Sequence, residues 1–203
     1  MIFNAQHPIV NLARSHGLLR TRDVDAMGES RGALARLVHE GHLSKLSRGL
    51  YALPDRPFSE NSALAEVSAK SAQGVVCLIS ALRLHELTTQ QSSEVWLAIP
   101  HKAHPPKLAY PPLRIVHLSG EAMTAGVETL RIAGTEVRVF GVAKTVADCF
   151  KFRHKLGLDV ALEALQEAWA AQRFHMDDLW RYAQICRVAN VMRPYLEALG
   201  AWR

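Results

Sequence analysis

LARSHGLLRTRDVDAMGESRGALARLVHEGHLSKLSRGLYALP, residues 12–54, decides how the chain is read. Apolar positions recur at helical spacing over residues 7–16, where Ile9, Leu12, Ala13 and His16 share a face and Gly17 offers a C-cap. Thr21 suits the N-cap of a short helix carrying Val24 and Met27, with Asp23 and Asp25 near its positive end. Gly28 breaks that helix. Ser30 caps a third, in which Leu34, Leu37 and Val38 occupy i, i+3 and i+4 before Gly41 ends it. Two apolar stretches, Leu43–Leu46 and Leu50–Leu53, flank Ser47-Arg48-Gly49, which predicts a hairpin with positive φ at Gly49. Three short helices followed by a hairpin predict a winged helix-turn-helix.

Pro54-Asp55-Arg56-Pro57 reads as a linker, because both prolines discourage regular structure. The expected division is a domain over residues 1–54 and a second over 58–203. The second unit mixes elements. A helix is expected near 59–72, and Val75–Ile79 reads as a buried strand passing into a helix over 80–87. SEVWLAIP (93–100) and LRIVHLS (113–119) are strand-like, and residues 129–141 form two strands around a turn at Gly134. HKAHPPKLAYPP (101–112) is a proline-rich loop. Helical spacing then dominates: Val142, Val146, Cys149 and Phe150 share one face, Leu158, Leu162, Leu165 and Trp169 another, and 176–199 gives one or two helices interrupted near Pro194. The fold class is α+β: a winged helix-turn-helix, then a mixed domain with a small sheet and a helical C-terminal end.

The composition is that of a packed protein, at 49% hydrophobic and 21% charged residues over 203 positions, with a mean hydropathy near zero. The start, MIFNAQHPIV, has neither a basic n-region nor a small-residue cleavage site, and no apolar run is long enough for a bilayer. Cys77, Cys149 and Cys186 are scattered among apolar neighbours without a CxxC spacing, so buried, inert thiols in a reducing cytoplasm are expected. The net charge of +5 favours a polyanionic partner without establishing one.

With Leu34, Leu37 and Val38 facing inward, the third helix presents Arg31, Gly32, Ala35, Arg36 and His39 outward. Arg31 stands at the end where groove-inserted helices touch base edges, and arginine matches guanine O6 and N7 bidentately. Gly32 and Ala35 permit close approach, and Ser30 offers a hydroxyl or backbone N–H to phosphate. Arg20 and Arg22 suit phosphate contacts ahead of the second helix, and Lys45 and Arg48 project from the hairpin. The same residues also fit a small helical domain with an ordinary solvated surface: residues 1–55 hold seven Lys/Arg against five Asp/Glu, a local charge of only +2.

The quoted stretch resembles the N-terminal winged helix of AbiEi-type antitoxins of type IV toxin–antitoxin systems. The match includes the leucine-rich third helix and a G-x-L…R-G-x-Y hairpin, here Gly41, Leu43, Arg48, Gly49 and Tyr51. SALRLHEL (80–87), VWLAIP (95–100) and VFGVAKTVADCFKFRHKLGLDVALEAL (139–165) look like the family's C-terminal domain. The resemblance implies an N-terminal domain that binds inverted repeats upstream of its own operon and represses it, with room for two copies on one operator. It also implies a C-terminal domain that counters a cognate nucleotidyltransferase-type toxin, directly or indirectly, and adds basic surface to the DNA contact.

The densest basic run is KFRHK, residues 151–155. On a helix, Lys144, Asp148, Lys151 and Lys155 fall along one stripe and pair at i, i+3 and i+4, which reads either as a solvated, self-paired face or as a surface for DNA or toxin. Lys151, Arg153 and Lys155 join Lys102 and Lys107 of the proline-rich loop as candidates for that surface. Asp148 lacks a catalytic partner and reads as structural. His101-x-x-His104 is an incomplete ligand set for a metal. A metal-dependent nuclease wants an acid-x-Lys pair on a strand, and neither Glu94-Val95-Trp96 nor Glu136-Val137-Arg138 supplies it. GxSxG, P-loop and Gly-rich dinucleotide signatures are also missing, so neither an enzyme nor a cofactor is expected. Trp96, Trp169 and Trp180 read as core or interface aromatics.

Overall fold

The computed structural model describes residues 7–55 and 60–200. Arg56 and Pro57 of the expected linker, and Ser59 of the helix expected over 59–72, lie outside them. The chain forms an α+β fold. By Cα proximity it divides into two compact units. One gathers the residues up to Ala72 with Pro106–Pro111 and Leu130–Val137; the other holds Gln73–Pro105, Pro112–Thr129 and the chain from Arg138 onward.

In the first unit α1 (Pro8–His16) leads through β1 (Leu19–Arg20) to α2 (Thr21–Ala26) and α3 (Arg31–His39). The hairpin β2 (Ser44–Ser47) and β3 (Leu50–Ala52) follows, then α4 (Glu60–Lys70). β3 lies between β1 and β2, antiparallel to both. Ile9, Val10, Ala13, Leu19, Val24, Leu34, Leu37 and Leu43 make one buried cluster, with Val38 half-buried against it. The caps follow the residues. Gly17 closes α1 at φ 71, and Ser30 Oγ accepts the Ala33 N–H at 3.0 Å to start α3. Gly49 has the expected positive φ, 72. The α2 cap is Arg20, one residue before the expected Thr21, and the Arg20 N–H donates to Asp23 Oδ2 at 2.8 Å, which satisfies the cap residue's own donor from the third position of the helix. Met27 follows α2 and is exposed, not part of its apolar face.

A five-stranded sheet of order β6-β5-β4-β8-β7 follows in the chain, its residues 130–137 counted with the first unit and the rest with the second. Its strands are β4 (Val75–Val76), β5 (Val95–Pro100), β6 (Leu113–Leu118), β7 (Val127–Ile132) and β8 (Thr135–Phe140). β4 runs antiparallel to β5 and parallel to β8, and β5 is parallel to β6. The helices are α5 (Leu78–Leu84), α6 (Glu121–Thr124), α7 (Val142–Lys151), α8 (Arg153–Leu156), α9 (Leu158–Ala170), α10 (Met176–Ile185) and α11 (Ala189–Gly200). The strand expected over Val75–Ile79 ends at Val76, and α5 starts at Leu78; a purely apolar run cannot mark where a buried strand becomes a buried helix. Nor does Pro194 interrupt the last helix. α11 runs through it, with Met192 and Leu196 buried on either side to hold the turn that lacks its N–H.

α7 is the centre of this unit. Residues Val142–Phe150 are all buried, and the helix packs against α5, α9 and α10. Its polar residues are satisfied internally, as burial demands. Lys144 Nζ donates to Asp148 Oδ2 at 2.5 Å and lies 4.1 Å from the centre of the Phe140 ring. Thr145 Oγ1 donates to the Phe140 carbonyl at 2.9 Å, and Cys186 Sγ donates to Asp148 Oδ1 at 3.1 Å. Burial pushes the Asp148 carboxyl above the ordinary carboxylate value, against the pull of Lys144 and Cys186.

This corrects the reading of a solvated charged stripe. The i, i+4 pair forms, but Lys144 and Asp148 are 0% and 1% exposed. α7 also ends at Lys151 and α8 begins at Arg153, so no single helix carries the stripe on to Lys155. All three cysteines are buried and free, as their surroundings predicted.

Candidate nucleic-acid interface

α2 and α3 form the two helices of a helix-turn-helix-like pair. The Glu29 N–H returns to the Val24 carbonyl at 3.3 Å, and Gly28, at φ 76, makes the connection short. α3 buries Ala33, Leu34 and Leu37. Its opposite side leaves Arg31, Gly32, Ala35, Arg36 and His39 exposed together. That face carries two arginines and a histidine around two residues too small to obstruct a close approach, which suits hydrogen bonding to base edges.

Arg31, at the first position of α3, has a partner. Its Nη2 donates to Asp25 Oδ2 at 2.8 Å and its Nε to Asp25 Oδ1 at 3.2 Å, although its side chain is 74% exposed. These hydrogen bonds hold the Asp25 carboxyl below the ordinary carboxylate value, slight desolvation opposing and the arginine's charge adding. The same bonds raise Arg31. The sequence pattern does not show this pair because its members stand at i, i+6 across a turn, outside helical i, i+3 or i, i+4 spacing.

Ahead of α2, Asp23 lies between two candidate phosphate ligands, 3.5 Å from Arg20 Nε and 3.9 Å from Arg22 Nε. Ser30 Oγ is occupied as the α3 cap. On the hairpin, Lys45 and Arg48 are exposed. The β2–β3 register shifts between Lys45 and Ser47, and this bulge turns Leu46 outward beside Lys45, where it is 39% exposed. The hairpin is fastened twice: the Thr21 N–H donates to the Gly49 carbonyl at 3.2 Å, and Lys70 Nζ of α4 donates to the Arg48 carbonyl. Desolvation, then the neighbouring Arg48 charge, lowers the Lys70 ammonium. Lys70 went unread as part of this site, since it follows the proline-rich linker and belongs to no motif.

The remaining basic candidates are scattered. Lys102 and Lys107 are exposed on the loop after β5. Lys151 and Arg153 are half-buried, Arg153 Nη1 donates to the Phe150 carbonyl at 2.9 Å, and Lys155 Nζ lies 5.7 Å from the Phe152 ring centre. The His101 ring meets His117 edge-on at 6.3 Å. Among the described residues no group of three His, Cys, Asp or Glu could hold a metal, and no helix is long and apolar enough to cross a membrane. A polar cleft of about 530 Å³ opens in the second unit beside the start of α7. Within it Arg181 Nη2 donates to Tyr182 Oη at 2.9 Å and pairs with Asp178 at 3.2 Å, and Arg173 Nη1 donates to the His85 carbonyl at 3.4 Å.

No curated protein matches the chain. Among solved structures, the RV2827C protein from Mycobacterium tuberculosis superposes with a TM-score of 0.58 at 18% sequence identity, covering 87% of this chain and 69% of that one. That likeness is one of fold. Residues 7–54, the segment that carries α1 to β3, match the model of the family described as "Transcriptional regulator, AbiEi antitoxin".

Proposed function

We propose that this protein is a type IV antitoxin and transcriptional autorepressor with no enzymatic activity, acting in the cytoplasm. Residues 1–54 form a winged helix-turn-helix domain that binds an inverted-repeat operator upstream of its own gene, with space for two copies. Residues 58–203 counter a cognate nucleotidyltransferase-type toxin, directly or indirectly. In this reading α3 enters the major groove, Arg31, Arg36 and His39 read or approach bases, and Ala35 allows contact. Ser30, Arg20 and Arg22 serve phosphates, and Lys45 and Arg48 meet the backbone or minor groove. Lys102, Lys107, Lys151, Arg153 and Lys155 supply basic surface for DNA or toxin.

The observation that carries the proposal is the shared exposure of Arg31, Gly32, Ala35, Arg36 and His39 on one side of α3, opposite the buried Leu34 and Leu37. It is tested by fluorescence anisotropy with duplexes tiled across the region upstream of the gene and with scrambled controls, at several salt concentrations. One tile should bind far more tightly than its scrambled version at every salt concentration. Equal affinity throughout sinks operator recognition. A stable complex with a neighbouring gene product in the absence of any DNA preference points instead to a protein-interaction module.

A further inference from the structure

The Arg31–Asp25 bond has an orientation that bears on how sequence is read. A guanidinium presents five N–H groups in one plane. Asp25 takes the edge formed by Nε and Nη2. The other edge, between Nη1 and Nη2, keeps two parallel N–H groups directed along the side chain, the geometry that guanine O6 and N7 accept in the major groove. A carboxylate that masked Arg31 against DNA would occupy this terminal edge; Asp25 leaves it open.

We infer that Asp25 is a positioning residue for base recognition: it fixes the plane of Arg31 so that the Nη1/Nη2 edge reads a single guanine. This inference rests on the reading of α3 as the helix that enters the major groove. Two consequences follow from the chemistry. Arg31 is long and exposed, and in solution alone it samples many rotamers; the Asp25 bond removes that freedom before DNA arrives, so the loss is not charged to the specific complex. Asp25 also places a negative charge beside a polyanion, which weakens every DNA complex in which Arg31 finds no matching base. It therefore lowers affinity in general and raises discrimination, a repulsive element that works with an attractive one.

The test uses the full chain and duplexes that the wild-type protein selects from a random-sequence pool. Each guanine is replaced in turn by 7-deazaguanine, which exchanges the N7 acceptor for C–H, and binding is read by fluorescence anisotropy. In the wild type one guanine per bound copy should be sensitive, its replacement weakening binding on the order of tenfold. Arg31→Ala should abolish that sensitivity. Asp25→Ala should bind generic duplex at least as tightly as the wild type, while its sensitivity at that guanine falls to about two- to threefold. Asp25→Asn, which keeps one acceptor oxygen, should lie between. Asp25 and Arg31 are both solvent-exposed, and thermal melting of each variant confirms the fold.

Full sensitivity in Asp25→Ala overturns the inference, and so does increased discrimination, which would mark Asp25 as a mask. If Arg31→Ala loses the sensitivity and Asp25→Ala does not, only this inference fails. If the wild type selects no sequence, or Arg31→Ala reads the guanine unchanged, the placement of α3 in the groove fails with it.

Discussion

Lys144 and Asp148 show where residue-level reading stops. Their i, i+4 spacing announces an ion pair, and because lysine and aspartate are ordinarily surface residues the sequence places that pair on a face open to solvent, DNA or toxin. Its burial comes from what packs over α7, which no spacing within α7 encodes. Asp148→Ala strands the Lys144 ammonium in the core and should cost about 3–5 kcal/mol in urea unfolding, whereas Lys144→Met combined with Asp148→Leu should recover much of the loss. Purely additive losses would refute the coupling. The burial of the three cysteines is legible because their apolar neighbours are local in sequence. Desolvation, and then the Asp148 carboxylate, pushes the Cys186 thiol up to about 12 and raises the Cys149 and Cys77 thiols as well. A thiol whose folded pKa is raised contributes stability that is complete below its unfolded value, about 8.5, and is lost as pH rises through the folded value. Stability should therefore fall between about pH 8 and pH 10, by about 2 kcal/mol for each such thiol. Cys149→Ala should shrink the fall by that amount; an unchanged pH profile would show that Cys149 does not contribute.

At the scale of elements, the sequence shows most clearly what neighbours in the chain determine. Ser30 and Gly17 mark the helix ends, Gly49 and Gly134 mark the turns, and the apolar faces of α1 and α3 carry the period of the helix. It does not show which backbones touch. A Cβ on Gly17 would lie 1.8 Å from the Ala133 carbonyl oxygen, and one on Gly134 would lie 2.3 Å from the His16 carbonyl oxygen. The end of α1 and the β7–β8 turn thus meet backbone to backbone, with no side chain to signal it. Both glycines also have positive φ, 71 and 76. Gly17→Ala and Gly134→Ala should each lose about 2–5 kcal/mol, combining left-handed strain with overpacking. Gly28 has the same φ of 76 but open space around it, and Gly28→Ala should lose only about 1–2 kcal/mol. Equal losses at the three positions in thermal unfolding would remove the close approach as a cause.

Across the whole molecule, the α+β class and the order of the longer elements are legible, because local periodicity survives in every long segment; the short β1, α6 and α8 are not. The central place of β4 between β5 and β8, and the membership of residues 130–137 in the first compact unit, depend on pairings far apart in the chain and left no trace in it. Charge was similarly misleading as a total. The net +5 of the chain describes steering at long range, but the salt dependence of a DNA complex counts the phosphates that are neutralised. Arg48 separates the two quantities well. Its carbonyl is held by Lys70 and its side chain is exposed, so Arg48→Ala removes a charge without releasing the hairpin. Under the proposed function it should weaken selected and scrambled duplexes alike, and flatten the plot of log affinity against log salt by about 0.9. Arg31→Ala should instead narrow the gap between the two duplexes. If Arg48→Ala narrows that gap as well, the hairpin reads sequence and not merely phosphate, and base recognition would have to be extended beyond α3.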